Sequence, residues 1–377
     1  MSGFRPRFKL VSLPVLLLVL FLVVVVMLMF VMDIASVFGQ DNTECDAGFR
    51  LFDHELLATD PVCIPENPQR ILALENAAVE LLLYTDKEIV GTFDAFTKDE
   101  FSAALPPLAD EMEAIPGMAW PVNLELALEW SPDLIATYSN ETMVYDQLSQ
   151  IAPTVIFNAG IAEGDWKTAT EFWSEVFNVQ DLYVEMLETY EARVAELQEA
   201  LGEDRGEINV SLVLASSYFN MISTQESPAG AILEDVGLGR PASQALTIEE
   251  SLEVYGNSTF AYLSDETFNL ADGDVIYLYT FPSLGEDAIA ASDQYLDDFE
   301  ANPLWQSLNG VKAGQSYRVG YHWARANTYL LANAVLDDLF ATLTDVEPTT
   351  PNPIEALTDS EEAEATAEAT AETTPES

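Results

Sequence analysis

Apolar residues follow three regimes along the chain. Leu10 to Met32 is apolar and uncharged, broken only by Ser12 and Pro14, and Arg5, Arg7 and Lys9 precede it. Such an order keeps the N-terminus inside the cell and exports the rest of the chain. The run exceeds the ~20 residues that a bilayer span requires. Small residues come next, at Ala35, Ser36 and Gly39. Residues 1–39 therefore read as a basic region plus a hydrophobic signal or anchor, with cleavage before Gln40 and retention both open. No lipobox cysteine closes the run, because Cys45 is preceded by Asn42, Thr43 and Glu44.

From Pro65 short apolar runs alternate with helical spacing. Ile71–Leu74, Ile89–Gly91, Leu134–Ala136 and Thr154–Phe157 read as buried strands. Ala77–Tyr84, Asn123–Trp130, Glu141–Gln150 and Trp166–Phe177 read as helices, with Asn123 a natural N-cap. Between Asp181 and Leu201 the apolar positions are Leu182, Met186, Tyr190, Val194, Leu197 and Leu201, spaced for one helix face. Five glutamates and Arg193 take much of the other side, and Gly202 marks the end. At ~1.5 Å per residue this helix is about 31 Å long. It is either a surface helix or a strut between two lobes.

The alternation then restarts. Ile208–Leu214, Val275–Tyr279 and Ser316–Val319 read as strands. Ala229–Val236, Thr247–Tyr255 and Asn327–Leu343 read as helices, the second opened by a Thr247/Glu250 capping box. The pattern predicts an α/β fold: two α/β units with mostly parallel sheets, 65–178 and 203–343, on either side of the long helix at 179–202. Residues 40–64 are expected to form an N-terminal hairpin. From Thr344 the chain is acidic, low in complexity and short of large apolar groups, so 344–377 reads as a disordered tail.

Charge narrows the function. The formal charge is −50, with 14 lysines and arginines against 64 acidic residues. There is no basic surface to meet phosphates, so nucleic acid is not a partner. The only histidines are His54 and His322. No nucleophile-elbow, P-loop or zinc-protease motif occurs, so the reading is not an enzyme, and no metal cluster is expected. The two cysteines, Cys45 and Cys63, are either a disulfide formed outside the cell or two free thiols; a strand through Phe49–Leu57 closing a hairpin favours the bridge.

Several segments, in order, resemble the class III (ferric-siderophore and cobalamin type) substrate-binding proteins of ABC importers. They are PENPQRILALENAAVELLLY, NLELALEWSPDLIAT, YDQLSQIAPTVIF, SPAGAILEDVGLGRPASQ, NPLWQSLNGVKAGQSYRV and ANAVLDDL, together with a short DWK, covering Pro65 to Leu343. The resemblance implies two lobes on one rigid helix, a ligand in the cleft between them and little hinge motion. It implies an extracytoplasmic protein that captures a ferric siderophore and delivers it to an ABC permease and its ATPase. Haem or cobalamin in the same fold is the alternative. No cofactor is expected, iron being held by the siderophore, and the membrane is met only through residues 10–32 if uncleaved. One departure stands out: Leu214 sits where many ferric-siderophore binders have an arginine.

Ligands of open α/β sheets lie beyond the carboxyl ends of strands. The candidates there are Trp120, Tyr138, Trp166, Tyr218, Tyr279, His322, Trp323 and Arg325, with Arg325 and Trp323 expected to matter most. For any single ring, core packing is the alternative. So few cations fit a neutral or weakly charged hydroxamate complex better than a polyanion. By the resemblance, one glutamate per lobe docks on the permease. Glu125 is the first, and Glu249 or Glu250 the second, with Glu249 favoured because Glu250 serves the capping box.

Overall fold

The structure, a computed structural model, describes residues 45–94, 108–158, 166–281, 286–355 and 357. The leader at 1–39 and the acidic repeats from 358 lie outside them. Strand β1 (Phe49–Phe52) pairs antiparallel with β2 (Val62–Pro65), and Cys45 and Cys63 are disulfide-bonded. Arg50 on β1 donates to the carbonyls of Glu175 and Val176 at a helix C-terminus, where a cation is favoured.

Lobe 1 follows as β3 (Arg70–Ala73), α1 (Asn76–Leu83), β4 (Glu88–Phe93), α2 (Ala109–Ala114), β5 (Gly117–Met118), α3 (Leu124–Glu129), β6 (Leu134–Tyr138), α4 (Tyr145–Leu148), β7 (Thr154–Phe157) and α5 (Trp166–Phe177). Its sheet is ordered β5-β4-β3-β6-β7 and is parallel throughout. Helices cover both faces, so β7 is buried at every position. Chain order reverses between β3 and β6, and that switch point opens a crevice at their carboxyl ends. The single helix expected over Glu141–Gln150 is instead a 3₁₀ turn, Ser139–Val144, followed by the short α4. Its polar run SNET has too few apolar positions to hold a longer helix against the sheet.

Helix α6 (Gln180–Leu201) leads to lobe 2: β8 (Val210–Ala215), β9 (Asn220–Ser223), α7 (Pro228–Val236), α8 (Ile248–Tyr255), β10 (Phe260–Tyr262), β11 (Val275–Tyr279), α9 (Glu286–Glu300), α10 (Asn309–Lys312), β12 (Ser316–Arg318) and α11 (Tyr329–Leu343). The order is β10-β9-β8-β11-β12. Strands β8, β11 and β12 are parallel, but β9 runs antiparallel to both its neighbours, β8 and β10. Lobe 2 is thus no simple repeat of lobe 1. The turn after β8 is too tight for a crossover: Ser216 Oγ donates to the Phe219 carbonyl at 2.8 Å. Its switch point lies between β8 and β11.

The α6 helix packs against α5, α7 and α11 and so bridges the lobes. Met186, Tyr190, Val194 and Leu197 are buried as the spacing predicts. Arg193, on the face that spacing assigns to solvent, is also buried; it donates to Asn333 Oδ1 at 2.7 Å and pairs with Asp337 on α11. A buried cation needs such partners, and helical spacing alone does not reveal them. One apolar cluster runs through α1, α5, α6, α7 and α11 across the lobe boundary. Among the described residues no helix is long and apolar enough to cross a membrane.

The segment from Thr344, expected to be disordered, is packed at least to Glu355. Glu196 on α6 accepts Thr349 N at 2.6 Å and the Thr349 and Thr350 hydroxyls at 2.7 and 2.6 Å. Asn352 donates to Asp337, and Tyr84 at the end of α1 donates to the Pro353 carbonyl at 3.0 Å. Ile354 is buried in the common core. Two threonines and one isoleucine suffice because a carboxylate and an apolar socket await them.

Candidate ligand-binding site

Among the described residues of lobe 1, loops leave the carboxyl ends of β3, β5 and β6. Trp120 follows β5, preceding a cis Trp120–Pro121 bond, and is 66% exposed. Its Nε1 donates to Glu141 Oε1 at 3.0 Å, and Glu141, just after β6, is only 4% exposed. A buried acceptor thus grips the edge of an exposed indole, tying the β5 and β6 loops together. Tyr138 ends β6 at the switch point and is half-buried. Glu75 follows β3 and caps α1 through Ala78 N at 2.9 Å; burial pushes its carboxyl up.

In lobe 2 the turn after β8 presents Tyr218, 87% exposed. Beside it Phe219 meets Phe281 edge-on at 5.7 Å, and Phe281 meets Tyr321 at 6.3 Å. Arg325 is exposed, and its Nε donates to the Tyr321 hydroxyl at 2.8 Å. Of this line of rings ending in a guanidinium, the sequence singles out Tyr321 and Arg325, both in the YHWAR segment, but not Phe219 or Phe281. A signal for the other two was present: Phe219 and Phe281 each follow a strand end by a few residues, within two positions of a candidate ring.

Three of the candidate rings are placed in the core. Trp166 is 2% exposed and packs against Tyr190 and Tyr329 at 5.0 and 5.4 Å. Tyr279 is buried, as is every residue of β11, and strand alternation puts it with Tyr277 in the cluster shared with α6 and α11; its hydroxyl bonds Ser223 Oγ at 2.8 Å, and burial raises its pKa. Trp323 is 1% exposed, stacked on Tyr277 at 4.3 Å, with Nε1 donating to Asp338 Oδ2 at 2.7 Å. His322 is largely buried and shares that carboxylate at 2.8 Å. Trp323 therefore anchors the segment rather than lining an open surface. Trp120, Tyr218 and Arg325 are the exposed candidates; Tyr138 lies between these groups.

At the lobe tips, Glu125 is exposed in the first turn of α3, where Asn123 Oδ1 accepts Glu125 N at 3.0 Å and Leu126 N at 3.2 Å. Glu249 and Glu250 are exposed in the first turn of α8. Glu250 closes the capping box with Thr247, whose bonds hold its carboxyl below the usual range; Glu249 takes no part in it. Among the described residues no group of three or more His, Cys, Asp or Glu is placed to hold a metal ion.

Two α/β lobes on one connecting helix, with exposed rings at their strand ends, define a solute-binding protein of the two-lobed, rigid-helix type. The chain belongs to the periplasmic binding protein family, whose model matches residues 71–320. It is 30% identical over 280 residues to the probable siderophore-binding lipoprotein YfiY of Bacillus subtilis, covering 73% of this chain and 82% of that protein. It is 24% identical to the ferric-anguibactin-binding protein FatB of Vibrio anguillarum, covering 75% and 83%. Staphylococcus aureus SirA complexed with staphyloferrin B superposes with a TM-score of 0.64 at 22% identity, covering 78% of this chain and 98% of SirA.

Proposed function

We propose that this protein captures a ferric siderophore between its lobes, outside the cytoplasm, and delivers it to an ABC permease for ATPase-driven iron uptake. The observation that carries the reading is the placement of exposed rings and one guanidinium, Trp120, Tyr218 and Arg325, beyond the strand ends of both sheets. Aromatic walls with few polar groups suit a small ligand of mixed polarity. The names of two relatives support the ligand class: YfiY is called siderophore-binding, and FatB binds ferric anguibactin. The protein acts by binding and release, iron being cargo held by the siderophore. Residues 10–32 serve as its signal or its membrane tether.

One guanidinium at the site favours a neutral or weakly charged complex, since desolvating a polyanion takes several arginines. Tryptophan-fluorescence titration against ferrioxamine B, ferric enterobactin, ferric citrate, haem and cobalamin tests both points. The tightest binding is expected for the hydroxamate, ferrioxamine B. Tighter binding of ferric enterobactin overturns the charge assignment, and binding of haem or cobalamin alone overturns the siderophore reading.

A further inference from the structure

Glu80 carries a buried carboxyl group in an unusual place. It lies on α1 in lobe 1, yet its partners begin the helix that follows the last strand of lobe 2. Its oxygens accept the Thr328 hydroxyl and, at 2.9 Å, the Leu330 amide. Thr328 is the N-cap residue of α11 and makes no cap bond with its own side chain. Glu80 therefore supplies the cap from the opposite lobe, satisfying one of the orphan donors of the first turn.

The segment thus held is short and leads directly to the site. Asp338 on α11 grips His322 and Trp323 from one side, and Glu80 grips Thr328 and Leu330 from the other. Between these anchors Arg325 N donates to the His322 carbonyl at 3.2 Å and Asn327 N to the Arg325 carbonyl at 2.6 Å. Ala326 and Thr328 are fully buried. The backbone carrying Arg325 has no slack, and one of its two anchors comes from lobe 1.

We propose that Glu80 is a positioning residue for ligand capture, fixing Arg325 relative to lobe 1 by capping α11 across the lobe boundary; its ligand arm rests on the siderophore reading above. Other groups near the carboxyl are Glu75, which caps α1, and Tyr84 and Tyr329, whose hydroxyl pKa values are raised by burial. None is a cation, so the carboxyl is held by neutral donors, and a neutral isostere serves the same bonds. Glu80→Gln keeps an acceptor for Leu330 N and offers its amide to Thr328 Oγ1.

Hydrogen exchange on the full chain reads the positioning without ligand. Glu80→Ala is expected to speed amide exchange in 326–331 by ~10-fold or more while lobe 1 strands keep their protection, and Glu80→Gln to restore it. The affinity for whichever ferric siderophore of the panel binds tightest is expected to fall by ~10-fold in Glu80→Ala, to recover in Glu80→Gln, and to show no further loss when Glu80→Ala is added to Arg325→Ala. Wild-type exchange in folded Glu80→Ala, an equal loss in Glu80→Gln, or full additivity with Arg325→Ala overturns the proposal. Should Glu80→Ala not fold, Thr328→Val removes the hydroxyl donor and is read the same way. Absence of binding by every siderophore refutes the ligand reading alone, because the exchange arm decides the capping role separately.

Discussion

The carboxyls of Glu80 and Glu196 are shifted in opposite directions, and each acts in its own pH window. Hydrogen bonds from Thr350 and Thr349 pull the Glu196 carboxyl down to about 2, against an ordinary value of 4.5. Its contribution is present above that ordinary value and lost as pH falls through about 2. Burial pushes Glu80 up to about 8. Between 4.5 and 8 the native state keeps a proton the unfolded chain has released, so stability falls as pH rises across that window. Glu80→Gln cannot ionise. Its stability relative to the natural protein is therefore expected to grow from pH 5 to pH 8.5, by on the order of a few kcal/mol at most. Urea unfolding at several pH values checks this; a difference constant across the range refutes the assignment. Such roles were only partly readable in the sequence. The Thr247/Glu250 box is local and was readable from spacing. Glu80, Arg193 and Glu141 have partners more than twenty residues away, or in another loop, and no local pattern reports them.

At the scale of elements, periodicity located most strands and helices, including α6, because each buries one face against a sheet or helix. It missed β9 and β10, short antiparallel strands whose pairing depends on the turn after β8. It also misjudged the segment after Leu343. Composition there forbids a core of its own, but this strap borrows one from α1, α6 and α11. Ending the chain after Leu343 removes the Thr349 and Thr350 bonds to Glu196, the Pro353 acceptor of Tyr84 and the buried Ile354. The truncation is expected to cost ~1–3 kcal/mol, read as a lower urea midpoint with the fold retained. An unchanged midpoint shows that the strap merely lies on the surface.

Over the whole molecule, seven motifs in order made the family readable, whereas the arrangement of site residues depended on how strand alternation and loop packing turned each ring. Trp323 and Tyr279 lie at the right ends of the right elements and still face the core. The docking on a permease that the proposed function calls for is a whole-molecule property, since in that reading both lobes are recognised together. Glu125 and Glu249 are exposed on first turns of α3 and α8, where helix N-termini favour negative charge. A generic acidic field is the competing mechanism, and the charge of −50 makes it a serious one. The two differ under charge reversal. Glu125→Arg with Glu249→Arg shifts −50 by only four charges, so a field of that size is nearly unaltered. Specific docking is expected to fail in that double variant: siderophore-dependent iron uptake is lost while affinity for the ligand in solution stays at the natural value. Glu250 is left in place because it closes the α8 cap, and its replacement would confuse docking with helix fraying. Undiminished uptake by the double variant, with the permease present at its usual level, would assign the steering to the field as a whole.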